Sequence, residues 1–129
     1  MAVTFFSFSE ANRHTVAKIK GRAHNSRYPN LNFKVQDLLI RWDTEDDIVI
    51  KQAITKSIKG TSRTIVFVGV HTHKSKWVKH EVEMTLQRGK PVYAIRVKDE
   101  EGKIPKFLKD NSIHVYVWSE ERLQELATK

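Results

Sequence analysis

Apolar residues come in short blocks along this chain, and their spacing switches between a strand period and a helix period. Val3–Phe8 is an aromatic and β-branched run bounded by Ser7 and Ser9, which reads as a buried strand. From Ser9-Glu10 the spacing becomes helical to about Arg22, with Val16 and Ile19 inward and Gly21 as the expected stop. Residues 25–32 are polar with one proline and read as a loop, and Phe33–Leu39 is a second strand candidate. Asp46 and Asp47 sit where negative charge suits a helix start, and Ile50, Ala53, Ile54 and Ile58 follow at helical spacing up to Gly60. T-I-V-F-V-G-V, residues 64–70, is a continuous apolar run, as expected of a strand covered on both faces of a parallel sheet.

The second half repeats the alternation. Ser75 caps a helix that runs to Arg88 and is closed by Gly89; Pro91 then opens the strand P-V-Y-A-I-R-V. A charged loop with Lys98–Lys103 and Pro105 precedes a short turn bearing Phe107 and Leu108. Ile113–Trp118 is the last strand, and Ser119 caps a helix carrying Leu123 and Leu126. Strands alternating with helices predict an α/β fold: a flavodoxin-like three-layer sandwich with a five-stranded parallel sheet and helices on both faces, one domain over residues 1–129. In such sheets ligands bind beyond the carboxyl ends of the strands. Those ends fall at Ser7–Glu10, Leu39–Asp47, Gly69–Lys76 and Arg96–Asp99.

Composition narrows the chemistry. At 129 residues the chain has room for one core and not two. It holds no cysteine, so disulfides and thiolate metal sites are excluded. The N-terminus shows no basic leader, and no apolar stretch approaches the roughly 20 residues that cross a bilayer, so the expected place is the cytoplasm and no membrane partner is expected. A net charge of +8 favours anionic partners, but the cations lie in small groups, such as Lys18, Lys20 and Arg22. No nucleic-acid motif or stacking row of aromatics accompanies them, so nucleic acid is not an expected partner. The first strand ends in S-F-S-E-A-N without glycine, and no G-K-[ST] or G-x-G-x-x-G occurs, which excludes the common phosphate cradles. The acidic pair and the later aspartate of a phosphate-accepting receiver are also missing.

One helix holds an unusual glutamate. In S-K-W-V-K-H-E-V-E-M-T-L, residues 75–86, Glu83 has Lys79 and His80 within helical reach, as a solvated surface charge would. Glu81 has instead Trp77, Val78, Met84 and Thr85 at three and four residues. A carboxylate without cations, beside an aromatic ring and at the ligand edge, is a functional candidate. The residues alone leave this open against a solvent-facing glutamate with a half-buried tryptophan. His71 and His73 form H-x-H, but no third ligand has motif spacing, so no metal is expected. Lys74, Lys76 and Lys79 are either a solvated face or an attraction for phosphate.

Several blocks together carry a resemblance across nearly the whole chain. T-F-F-S-F-S, D-D-I-V-I-K-Q-A-I-T-K-S-I, K-P-V-Y-A-I-R-V and I-H-V-Y-V-W-S-E-E each resemble, weakly, elements of TIR (Toll/interleukin receptor) domains. T-S-R-T-I-V-F-V-G-V-H-T-H-K-S-K-W-V-K-H-E-V is more specific, because enzymatic TIR domains carry W-V-x-x-E there. Most closely, the chain resembles the TIR-like subunit of bacterial Thoeris anti-phage systems. The resemblance implies cleavage of the nicotinamide–ribose bond of NAD, with NAD as substrate and no cofactor. It implies Glu81 as the catalytic residue, and Phe6, Ser7, Phe8, Trp42, Asp43 and Trp77 as residues about the substrate. Phe6 and Phe8 can equally be core. Trp42 and Asp43 fall in Arg41–Asp47, at the place of the family's BB loop, where Trp42 is a pocket residue, an interface residue or a loop anchor. The proline-glycine pattern of animal adaptor TIR domains is absent from that loop. The resemblance further implies homo-oligomer contacts and an effector reached through a diffusible ADP-ribose-derived product. A non-enzymatic interaction module is the alternative.

Overall fold

A segment apolar on both sides is satisfied only in the interior of a covered sheet, and Arg63–Val68 (β3) lies there with all its residues buried. In the computed structural model, which describes residues 3–23, 34–36 and 46–129, β3 is flanked by Val3–Ser7 (β1) and Val92–Arg96 (β4). Lys34–Gln36 (β2) and Val115–Tyr116 (β5) form the edges, giving the order β2-β1-β3-β4-β5 with every pairing parallel. The register sets Ser7 beside Val66, and Val68 beside Arg96. This is the parallel α/β architecture expected from the alternation of periods.

Strand alternation divides the core between the two faces. Phe6, Phe8, Ile65, Phe67, Ile95 and Val97 pack with Val16 and Ile19 of Arg13–Ala23 (α1), and with Leu123, Leu126 and Ala127 of Glu120–Thr128 (α5). On the other face Val66, Val68 and Ala94 meet Val78 and Val82 of Lys76–Gln87 (α3), and Phe107 and Leu108 of Lys106–Lys109 (α4). Phe5 joins Ile50, Ile54 and Ile58 of Asp47–Lys59 (α2) on that same side. The helix starts follow the sequence. Asp46, Ser75 and Ser119 accept from Ile48 N, Val78 N and Arg122 N, each cap contributing about 1 kcal/mol.

Three boundaries differ from expectation. The chain after β1 first makes a 3-10 turn, Glu10–Asn12, and Gly21 lies inside α1 instead of ending it. Ser9 places its hydroxyl on Asn12 Oδ1, not on a backbone N–H, so the helix begins later. The last strand pairs only through Val115 and Tyr116, with Ile113 and Trp118 outside the ladder.

Candidate active site

The chain leaves β1 on one side, returns through α2 across the opposite face, and continues outward from β3. Such a reversal opens a crevice past the carboxyl ends of the two central strands, here β1 and β3. Ser7 is the last residue of β1, and alternation turns it toward α3 while Phe6 and Phe8 turn toward α1 and α5. Helix α3 starts just past β3 and lies back over the sheet on a buried face made of Val78, Glu81, Val82 and Thr85. Glu81 is the polar member of that face that meets the end of β1. Ser7 Oγ donates to Glu81 Oε1 at 2.6 Å, and both residues are 0% exposed. That length is at the short end of the range for a hydroxyl donating to a carboxyl oxygen.

A chain of hydroxyls fixes the same turn of α3. Thr85 Oγ1 donates to the Glu81 carbonyl at 2.7 Å and lies 2.7 Å from Thr64 Oγ1. A hydroxyl has one proton, so Thr64 is the donor in the second contact. The backbone of Glu81 is thus referred to β3, and its side chain to β1.

A second polar knot closes the edge beside it. Asn12 Nδ2 donates to Glu100 at 2.9 and 3.2 Å, and Val70 N donates to Glu100 Oε1 at 3.2 Å. Thr72 Oγ1 accepts from Gly69 N and donates to the Phe67 carbonyl. Gly69 is required here by space: a Cβ would collide with Asn12 Oδ1 and Glu100 Oε1. None of Asn12, Thr64, Thr72, Thr85 or Glu100 was among the residues expected from sequence. Glu100 sits in a D-E-E run that looks like any solvated loop, and the threonines carry no local signal.

Of the expected site residues, the structure brings Ser7 and Glu81 into contact. Phe6 and Phe8 stand apart from that contact. Their side chains are buried in the core across the sheet from Glu81, because residues 6 and 8 have the opposite strand parity to Ser7. Trp77 is half-buried one turn ahead of Glu81. Its ring packs on the α2 cluster, stands edge-on to His80 at 6.1 Å, and has Lys76 Nζ 4.7 Å from its centre. Lys74, Lys76 and Lys79 are all exposed, and Lys76 also pairs with Asp47 at 3.2 Å. Burial, with Lys51 nearby, holds the His80 pKa below its ordinary value, and Glu83 partly opposes this. Trp42 and Asp43 lie outside the described residues. Among the described residues no group of three potential ligands could hold a metal ion, and no helix is long and apolar enough to cross a membrane.

Residues 5–102, which include both Ser7 and Glu81, match the model of the family described as "Thoeris protein ThsB, TIR-like domain". The chain belongs to that family. Over 61 residues this TIR-like domain is 31% identical to a Bacillus cereus (strain MSX-D12) protein named "Putative cyclic ADP-D-ribose synthase ThsB1". That match spans 45% of this chain and only 32% of the relative's length. Among solved structures, the TIR domain of the Toll-related receptor TRR-2 from Hydra magnipapillata is similar with a TM-score of 0.62 at 17% identity, covering 99% of this chain and 93% of that one. The Clostridium botulinum CMP N-glycosidase BcmB is similar with a TM-score of 0.61 at 14% identity, covering 98% and 99%. Both likenesses concern the fold.

Proposed function

We infer that this TIR-like domain cleaves the nicotinamide–ribose bond of NAD and yields an ADP-ribose-derived signal, cyclic or conjugated, in anti-phage defence. The observation that carries this reading is the buried Ser7–Glu81 pair at the strand-reversal crevice. The family match and the name of the Bacillus relative support it.

The chemistry asks little of the protein. The bond from ribose C1′ to the ring nitrogen breaks, and its electron pair neutralises the positive pyridinium. Nicotinamide therefore leaves as a neutral base and needs no general acid. The ribose is left electron-poor, and a carboxylate beside it stabilises that charge as it develops. Ser7, donating to Oε1, fixes where the carboxylate stands. Water capturing the ribose gives ADP-ribose and a nucleophile within the same molecule gives a cyclic product, each with release of one proton to solvent. Trp77 walls this site, copies of the chain assemble through TIR contacts, and the product carries the signal to an effector.

One observation favours a second reading, a non-enzymatic interaction module: Glu81 has no exposed surface, as a purely structural side chain would have. One experiment separates the two. Products from NAD are analysed by mass spectrometry for wild type and Glu81→Ala, with nucleosides and CMP as parallel substrates. Nicotinamide release by wild type alone supports the enzyme. Release by neither protein, also in extracts of infected cells, supports the module, and release from nucleosides but not NAD moves the reading to a nucleoside glycosidase.

A further inference from the structure

Across the sheet from Glu81, the carboxyl ends of β4 and β5 border two adjoining cavities. The turn after β4 is closed by Glu100 N donating to the Val97 carbonyl at 3.1 Å, with Asp99 in the left-handed region at φ 62°. Beyond it lies an open groove of about 780 Å³, lined among others by Arg96, Lys98, Asp99, Glu101, Val117 and Trp118. Behind it a recess of about 140 Å³ reaches Thr15, Ile19, Arg22 and Glu120. Val97, Lys98 and Trp118 line both. Small-molecule sites commonly fall within roughly 300–1,000 Å³.

Most of the polar wall is already committed. Arg96 Nη1 donates to the Gly102 carbonyl at 3.0 Å, Glu100 accepts from Asn12 and Val70, and Arg22 pairs with Glu120 at 3.5 Å. Lys98 is exposed, and among the described residues no hydrogen bond or ion pair engages it. The rings show a similar division. Trp77, Tyr116 and Tyr93 each have a cation over them, from Lys76, Arg122 and Lys129. Trp118 is half-buried, packs on the core beneath it, and has no such cation among the described residues. The two cavities therefore share one flat indole and one uncommitted ammonium, with Val117 beside them at 83% exposure.

We propose that this groove binds a planar aromatic ring bearing a single phosphate, the ring on Trp118 and the phosphate on Lys98. An indole face accepts any heteroaromatic base by stacking. Asp99, Glu100 and Glu101 stand on the same wall against Arg96 and Lys98 and oppose the larger charge of a di- or triphosphate more than that of a monophosphate, which is therefore the favoured member of the series. The site lies on the sheet face opposite Glu81 and does not depend on what Glu81 does.

AMP is the probe, titrated calorimetrically into the full chain, with adenosine and ribose 5-phosphate as its two halves. Binding of AMP below about 1 mM, weaker binding of each half, and weaker binding of ATP are expected. Trp118→Ala weakens AMP by about tenfold or more, while Trp118→Phe keeps most of the affinity. Lys98→Gln weakens AMP about threefold and leaves adenosine unchanged. Circular dichroism of each variant confirms an intact fold. An affinity for AMP that is unchanged in folded Trp118→Ala, or no binding at millimolar AMP, overturns the proposal.

Discussion

Polar side chains gather at both ends of β3, and the two ends differ in charge. At the amino end the groups are cations. Lys90 Nζ donates to the carbonyls of Ile58, Lys59 and Thr61, and Arg63 Nη1 donates to those of Leu126 and Lys129. These carbonyls lie at the ends of α2 and α5, where a helix leaves acceptors unmatched. At the carboxyl end Arg96 likewise reaches a carbonyl, that of Gly102, and two acids are added. Glu81 accepts from a hydroxyl, and Glu100 from an amide side chain and a backbone N–H. These cations answer a need of the backbone. Glu81 sits mid-helix, where the backbone asks for no side-chain acceptor, so the backbone does not account for its place.

Substitutions at the two ends should therefore separate activity from stability. Glu81→Gln keeps shape and loses charge; NAD cleavage falls by about 100-fold or more with little change in melting temperature. A large loss of stability with unchanged turnover per folded molecule would reassign Glu81 to the amino-end class. Gly69→Ala drives a methyl into Asn12 and Glu100 and costs about 1–3 kcal/mol in urea unfolding, because the crowding side-chain atoms are held in the Glu100 network. Lys90→Met removes the ammonium shared by the Ile58, Lys59 and Thr61 carbonyls, of which Ile58 keeps the Thr61 amide and hydroxyl as donors, and costs about 1–2 kcal/mol, while turnover of the folded fraction stays near wild type. Ser7→Ala removes the hydroxyl donor from Glu81 Oε1 and lowers kcat about tenfold, with Ser7→Thr restoring part of it.

The smallest expected effect is a pH dependence. His80 has a folded-state pKa below its ordinary value of 6.5, so the unfolded chain binds more protons. Its contribution to stability is whole above that value and is lost as the pH falls toward the folded-state pKa. His80→Gln removes that part of the acid slope in unfolding midpoints measured between pH 7 and 5, and an unaltered slope would show that His80 does not contribute.

The sequence carried the fold because its signals are local. The continuous apolar run at 64–70, the caps at Asp46, Ser75 and Ser119, and the alternating periods each depend on neighbours in the chain. Glu81 was visible for a similar reason, since the absence of cations one turn away is a local pattern. Its partner is 74 residues away, and only the pairing of β1 with β3 brings Ser7 beneath α3. The rings at 6 and 8 show the opposite limit. Knowing that a strand ends at a site does not say which parity faces it, and the core claimed both phenylalanines. Glu100 and Asn12 are 88 residues apart with no spacing to join them.

The central place of β3 also has a consequence in time. Its amides lie between two paired strands and beneath helices on both faces, so local opening cannot reach them without dismantling the sheet. Hydrogen–deuterium exchange should leave Ile65–Phe67 protected longest, with the two-residue edge at Val115–Tyr116 exchanging far sooner. Glu81, referred by Thr85 to Thr64 on that slow strand, stands on the part of the molecule that keeps its shape longest.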